Sequence, residues 1–298
     1  MKIAKFLRYL TACCAIAAMS SSIYAQDSQK QNSDQAQEQK SQPERIVSLG
    51  GDVTEIIYAL NAEQNLVGRD STSLHPKAKS LPDVGYMRQL NVEGILALKP
   101  TRIITTEVAQ PTVVLKQLEA TGVKVDTVPL KYSPESVVEK IKQIGELLGK
   151  EDQAVKLAEN FAAQIKAIPS SPLDVKILFI LNRAGANNMV AGTDTVADSA
   201  IRLVGAKNAM GNLARFTPIS QEGIIAANPD VVVLTHLGLK QLGSLDKLWT
   251  LAGMQHTNAA KHQNVVIVDD IAFLAFGLTI PAELQKIRQA AEKALATR

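Results

Sequence analysis

The sequence is poor in cysteine, with only Cys13 and Cys14, and both lie close to the N-terminus. They fall inside an apolar run that follows basic residues and leads through small residues to Ala25. This order is typical of a secretory leader. We therefore predict that residues 1–25 are a signal peptide cleaved near Ala25. The mature chain would then have no thiol, which excludes disulfides and cysteine-based chemistry.

An alternative for the leader is lipid anchoring, because Leu10-Thr11-Ala12-Cys13 resembles a lipoprotein cleavage site. The apolar run before Cys13 is short and carries Arg8, so we favour cleavage near Ala25. The rest of the sequence contains no run of the ~18 apolar residues that a membrane span needs.

Aromatic residues, histidines and net charge are also low: aromatics make up 4% of the chain, there are four histidines, and the net charge is +3. The basic residues are scattered, which gives a nucleic-acid role little support. The four histidines lack the spacing of a zinc helix. Glycine-rich nucleotide loops and the nucleophile elbow of hydrolases are absent as well. We predict that the protein is not an enzyme, with an exported enzyme kept as an alternative.

Residues 26–43 contain almost no apolar side chains and are rich in Gln, Ser, Asp and Lys. Such a composition cannot bury enough surface to fold. We predict a disordered linker.

From Arg45 onward, short β-branched runs alternate with amphipathic segments, which is typical of α/β folds with parallel sheets. The predicted strands are residues 45–49, 102–106, 123–128, 175–181, 231–235 and 265–268. Asp52 is expected to cap the helix after the first strand. Apolar residues recur at helical spacing from Glu135 to Ile168, with Gly149 as a possible kink. We predict an N-terminal α/β lobe over 44–133, one long rigid connecting helix over 134–169, and a C-terminal α/β lobe over 170–298.

The two predicted lobes share a short repeat. Residues 91–100 read NVEGILALKP and residues 220–229 read SQEGIIAANP, at an offset of 129. Each copy begins with an N-cap residue, Asn91 or Ser220, and ends in proline before a strand. Two similar lobes leave a cleft between them, and such clefts are favoured ligand sites.

These two repeats, together with the opening RIVSLGGDVTEIIYALN, resemble the cobalamin, siderophore and haem binding proteins of ABC importers. Within them, PDVGYMRQLNVEGILALKP resembles the periplasmic haem-binding branch. The resemblance implies a periplasmic protein that takes haem and passes it to an inner-membrane permease dimer with its ATPase, with an outer-membrane haem receptor as a possible supplier. A ferric siderophore or cobalamin ligand remains the alternative.

The segment around Tyr86 carries the haem prediction. A phenolate is a hard anionic ligand for ferric iron. The resemblance assigns Tyr86 as the axial iron ligand and Arg88 as the cation that stabilises the phenolate. Met87 is a weaker rival for iron and is expected to pack against the ligand or the core.

The repeat offset places Arg215 opposite Tyr86, where it could hold a haem propionate, and Phe216 beside it could stack on porphyrin or belong to the core. His236 is a reserve second iron ligand. Some relatives place a histidine after the first C-lobe strand, where this chain has Asn182 and Arg183. The number of bound haems therefore stays open.

Glu93 and Glu222 occupy matching places in the repeat. In relatives, a glutamate on each lobe docks onto arginines of the permease. The alternative is that both glutamates only complement the helix dipole.

Overall fold

The computed structural model describes residues 43–182, 188–218 and 220–297. The predicted signal peptide, nearly all of the predicted linker and Arg183 lie outside the described residues. The described residues from Arg45 onward form one compact unit. None of the helices within the described ranges has the length and apolar character to cross a membrane.

The N-terminal lobe is a parallel sheet with helices packed against it. Its strand order is β2-β1-β3-β4, all in parallel register. The elements are β1 (Ile46–Ser48), α1 (Gly51–Ala59), β2 (Leu66–Arg69), α2 (Val92–Leu96), β3 (Arg102–Thr106), α3 (Thr112–Ala120) and β4 (Lys124–Val128), with 3-10 turns at Glu63–Asn65 and Pro76–Ser80.

The segment between the lobes corrects the prediction of one long helix. It forms two helices, α4 (Pro134–Leu147) and α5 (Glu151–Lys166), which pack on each other. The chain turns at Gly149, whose φ is +62°. Gly145 lets the helices approach closely, because an added Cβ there would lie 2.2 Å from the Ala154 Cβ. The two apolar stripes that predicted one helix therefore face each other.

The C-terminal lobe mixes parallel and antiparallel strands, in the order β10-β9-β5-β6-β8, with β7 beside β5. The pairs of β6 are antiparallel, and the other pairs are parallel. The elements are β5 (Lys176–Leu181), β6 (Met189–Ala191), α6 (Val196–Leu203), β7 (Lys207–Asn208), β8 (Phe216–Pro218), α7 (Gln221–Ala227), β9 (Val231–Thr235), α8 (His236–Leu242), α9 (Leu245–Trp249), α10 (Asn258–His262), β10 (Val265–Val268), α11 (Asp270–Leu274) and α12 (Ile280–Ala296), with a 3-10 turn at Met254–His256.

The two repeat helices begin as predicted. The Asn91 side chain accepts a hydrogen bond from the Gly94 N–H at 3.0 Å, and the Ser220 hydroxyl accepts one from the Gly223 N–H at 3.1 Å. These caps fix α2 and α7 at equivalent places in the two lobes. The predicted α/β fold with two lobes is confirmed, apart from the single connecting helix.

One apolar cluster runs through the whole unit. It includes Val53 of α1, Ile141 of α4, Ala158 of α5 and Leu284 of α12, all nearly inaccessible to solvent. Because this buried cluster is continuous from one lobe through the helix pair to the other, the helix pair packs against both lobes rather than bridging them as an isolated rod.

Candidate functional site

A cleft of about 510 Å³ lies between the lobes. The N-terminal side contributes Gly51, Asp52, Ser71, Thr72, Leu74, Tyr86, Met87, Arg88, Thr106, Val108, Leu130 and Tyr132, and the C-terminal side contributes Leu237, Gln241, Asp270, Ile271, Leu274 and Ala275.

The position of the cleft follows from the parallel sheets. Gly51 follows β1, Ser71 follows β2, and Leu130 follows β4. In the other lobe, Leu237 follows β9 and Asp270 follows β10. Ligand sites of parallel α/β sheets lie beyond the carboxyl ends of the strands. In both lobes those ends face the cleft.

The loop that carries Tyr86 is fixed at both ends. At its start, Arg69 forms a 2.7 Å ion pair with Asp83, whose other oxygen accepts a hydrogen bond from the Gly85 N–H. At its end, the Gln110 N–H donates to the Met87 carbonyl at 2.8 Å. Gly85 has φ +93°, a left-handed conformation that favours glycine. These contacts hold the half-buried Tyr86 ring in the cleft wall.

Met87 and Arg88, the two residues after Tyr86, differ in how deeply they are buried. Met87 is only 6% exposed and packs in the apolar cluster of the N-terminal lobe. Met87 thus packs in the core, and its exposed edge lines the cleft. Arg88 is exposed and lines the cleft as well. The loop thus brings a phenol, a thioether and a guanidinium to one wall.

A buried carboxylate organises the backbone next to this loop. Asp70 is inaccessible to solvent and accepts hydrogen bonds from the Gly50 N–H, the Ser73 hydroxyl, and both the N–H and the hydroxyl of Thr72. The Thr72 hydroxyl also faces the Met87 sulfur at 3.9 Å. Asp70 therefore ties the loop after β2 to the start of α1.

Asp52 has a role that the sequence did not reveal. It was expected to cap α1, but the N-cap residue is Gly50, and Asp52 forms an ion pair with Lys140 of α4. Asp52 is 3% exposed and Lys140 is 2% exposed. The sequence does contain a signal for a buried partner, because Lys140 lies among the apolar helix positions Val137, Ile141 and Ile144. A lysine there needs a buried partner.

The C-terminal wall is largely apolar. Leu237 of α8 is 48% exposed in the open cleft, and Ile271 and Leu274 of α11 lie beside it. Asp270 accepts a 3.0 Å hydrogen bond from the Leu237 N–H, which links α8 to α11. Sequence reasoning missed these residues because each one looks like an ordinary core position of a helix.

Tyr132 is a second phenol in the cleft that the sequence did not single out. It follows β4 in the segment that leads to α4, and its ring packs against the cluster that runs through both lobes. Tyr86 instead packs against the cluster of the N-terminal lobe. The two phenols are therefore held by separate parts of the core.

The His75 side chain packs away from the cleft. Its ring stacks on Tyr58 of α1 at 4.1 Å, and its Nδ1 is buried with no hydrogen-bond partner within the described part of the chain. Burial lowers the pKa of His75, and Lys77 lowers it further. Burial also raises the pKa of Tyr58. The pair packs the outer side of α1, and neither residue lines the cleft.

Comparison with known protein families identifies the family of this chain. Residues 46–272 match the family model described as periplasmic binding protein. The chain belongs to the periplasmic binding protein family.

Two curated relatives of this periplasmic binding protein cover most of its length. An uncharacterized ABC transporter substrate-binding lipoprotein of Bacillus subtilis (strain 168) is 30% identical over 239 residues, which is 77% of this chain and 74% of the relative. The vitamin B12-binding protein of Photorhabdus laumondii is 25% identical over 222 residues, which is 70% of this chain and 76% of the relative.

Solved structures give a second set of similarities. The periplasmic heme-binding protein RhuT from Roseiflexus sp. RS-1 superposes with a TM-score of 0.80 at 34% identity, covering 85% of this chain and all of that one (100%). The periplasmic heme-binding protein HutB of Vibrio cholerae gives a TM-score of 0.75 at 37% identity, covering 83% and 98%. The predicted resemblance to haem-binding components of ABC importers is confirmed.

Three predicted residues of the binding protein lie outside the cleft lining. Arg215 is exposed, with φ +58°, where its backbone pairs with Thr193. Phe216 lies edge-on to Phe179 at 6.4 Å, which fits the core alternative. His236 is exposed at the first turn of α8. The haem contacts predicted for these residues remain predictions.

The two glutamates of the repeat are exposed in the first turns of α2 and α7. Neither Glu93 nor Glu222 makes an ion pair with another described residue. Both carboxylates are therefore free to meet a partner. The described residues also hold no cluster of three or more His, Cys, Asp or Glu side chains that could bind a metal ion.

Proposed function

We propose that this periplasmic binding protein captures haem in the cleft between its lobes through a bond from the Tyr86 oxygen to the iron. The observation that carries the proposal is that Tyr86 and Arg88 both line the cleft from one fixed loop, while the C-terminal lobe contributes a largely apolar wall. Ferric iron prefers a hard anionic oxygen ligand, and tyrosinate ligation of haem is known chemistry.

The chemistry of haem fits the two walls. A porphyrin is a flat apolar plate, and Leu237, Ile271 and Leu274 offer it an apolar surface. Its propionates are anionic and need cationic or hydrogen-bonding partners. Arg88 lines the same wall as Tyr86 and brings a cation to this side of the cleft. Heme-binding proteins among the similar structures support the same ligand class.

A cobalamin is the second candidate ligand, because one curated relative is a vitamin B12-binding protein. A cobalamin or ferric siderophore would occupy the same cleft without a phenolate bond to iron. An exported enzyme is disfavoured, since the family and the similar structures are solute-binding proteins.

Titration of the purified protein with hemin tests the ligand. We expect a saturable one-to-one change in the Soret band with a high-spin ferric spectrum. Cyanocobalamin and a ferric hydroxamate chelate serve as competitors and should not displace hemin. A flat Soret band at micromolar hemin, or displacement by cyanocobalamin at equal concentration, would reject haem as the ligand.

We further propose that the protein is exported, with cleavage near Ala25, and delivers haem to an inner-membrane ABC permease dimer. An outer-membrane haem receptor would supply the ligand. Glu93 and Glu222 are the proposed docking groups. One exposed carboxylate on each similar lobe suits a partner with two-fold symmetry. Charge contacts of this kind set the association rate and the register of docking.

A further inference from the structure

Behind the floor of the cleft, helix α1 of the N-terminal lobe lies directly against α11 and the turn before α12 of the C-terminal lobe. A Cβ atom added at Gly51 would lie 3.1 Å from Ile271 Cγ2, and one added at Gly277 would lie 2.7 Å from Glu55 Oε2. The lobes thus meet at close range, and the Glu55 side chain crosses the junction. Gly277 leaves the space that the carboxyl group occupies.

The Glu55 carboxyl group lies near acidic residues and has little access to solvent. Its Oε2 atom is buried and has no hydrogen-bond partner within the described part of the chain. Asp269 faces it from the C-terminal lobe, held in place by hydrogen bonds from the Ile271 and Ala272 N–H groups. Asp52 lies one turn earlier on α1, and the cation Lys140 is bonded to Asp52.

This environment makes the charge of Glu55 depend on pH near neutrality. The pKa of Glu55 is raised from 4.5 to about 7, and burial is the largest cause. The negative charge of Asp269 is the second cause of this rise, the backbone N–H of Leu278 opposes part of it, and Asp52 contributes a smaller increase. A carboxyl group that is normally ionised at pH 6 is therefore largely neutral here.

We infer that Glu55 is a proton-dependent latch between the two lobes. The neutral carboxyl group packs across the junction against Gly277. The carboxylate repels Asp269 and is poorly solvated, so its formation loosens the contact between α1 and α11. Because the first residues of both helices line the cleft, a looser junction widens the cleft. The latch acts without any ligand and so does not depend on the proposed function.

The sign of the pH effect follows from the raised pKa. Between about pH 4.5 and 7, the folded protein holds a proton on Glu55 that the unfolded chain has lost. The stabilisation is therefore complete below about pH 4.5 and is lost as the pH rises through about 7.

The test compares the melting temperature of the wild-type full chain with that of Glu55→Gln from pH 4.5 to 8, without ligand. Gln keeps the shape and stays neutral. We expect similar melting temperatures at pH 4.5 and a wild-type value lower by about 5 °C at pH 8. The control is Glu119→Gln, at the exposed end of α3, which should follow the wild type. A constant gap between wild type and Glu55→Gln at all pH values would overturn the inference.

A second measurement places the effect at the junction. Hydrogen exchange, corrected for the intrinsic pH dependence, should show residues 51–59 and 269–280 losing protection from pH 5 to 8 in the wild type only. Residues 112–120 should not change. Loss of protection spread evenly along the chain would overturn the latch and leave Glu55 as an ordinary buried acid.

A second variant tests the partner. Asp269→Asn keeps a residue that can cap α11 and removes the charge that faces Glu55. The pH midpoint of the stability change should move to lower pH. An unchanged midpoint would contradict the role of Asp269.

Discussion

The two walls of the cleft differ in the kind of side chain they present and in how those side chains are held. The N-terminal wall carries Tyr86 and Arg88 on a loop that the Arg69–Asp83 ion pair fixes. It also carries Thr72, bonded to buried Asp70, and Asp52, which is paired with buried Lys140. The C-terminal wall carries Leu237, Ile271 and Leu274 on two short helices. One wall is built to position polar chemistry, and the other is built to cover an apolar surface.

The largest effect is expected from breaking the buried support of the N-terminal wall. Lys140→Met leaves Asp52 as an unpaired buried charge, so the free energy of unfolding should fall by about 3–5 kcal/mol. Urea unfolding measures this change. Lys142→Met, an exposed lysine on the same helix, is the control and should change stability by less than ~0.5 kcal/mol. Equal effects of the two variants would show that the pair does not support the wall.

Shortening a side chain of the apolar C-terminal wall should have a smaller effect, confined to ligand binding. Leu237→Ala removes apolar surface that the ligand would cover, which corresponds to about 1 kcal/mol and thus to roughly fivefold weaker hemin binding. Leu245→Ala is the matched control, because Leu245 is also partly exposed but lies outside the cleft. If both variants bind hemin as tightly as the wild type, the C-terminal wall does not cover the ligand.

Two arginines allow a direct comparison of the lobes. Arg88→Ala should make hemin dissociate at a higher pH during acidification, because protons then compete with iron for the phenolate oxygen more easily. Arg215→Ala should cause a smaller change, since Arg215 lies outside the cleft lining. Absorbance at the Soret band during acid titration measures both. A larger effect at Arg215 would support the propionate contact that the repeat offset predicted.

The smallest effect on ligand binding is expected at the proposed docking residues. Glu93→Arg combined with Glu222→Arg should leave hemin affinity and melting temperature nearly unchanged, since both side chains are exposed. The same pair should abolish stimulation of the transporter ATPase, and the wild-type stimulation should weaken as salt rises. Full ATPase stimulation by the double variant in proteoliposomes would leave only the helix-dipole role.

Local sequence patterns predicted the strands well where a β-branched run has clear ends. The bounds of β3, β9 and β10 agree with the prediction, because each run is short, apolar and ended by polar or helix-starting residues. The resemblance of the segment around Tyr86 also selected a residue that lines the cleft.

Three features could not be read from local patterns. The apolar spacing of α4 continues into α5, so the spacing alone does not show that the chain turns back at Gly149 and packs Gly145 against Ala154. The repeat offset of 129 does not predict equivalent surroundings outside the two repeat helices. Arg215 directly precedes the antiparallel strand β8, whereas Tyr86 lies in the loop that follows the parallel strand β2. The Asp52–Lys140 pair joins residues far apart in the chain.

The most direct test of the proposed iron bond compares two variants that each remove one phenol oxygen from the cleft. Tyr86→Phe and Tyr132→Phe both keep the ring, so packing is preserved. Visible spectra of the hemin complexes should show loss of the tyrosinate charge-transfer band and weaker binding for Tyr86→Phe, with the band retained for Tyr132→Phe. A Tyr86→Phe complex with an unchanged spectrum would contradict the assignment of Tyr86 as the iron ligand.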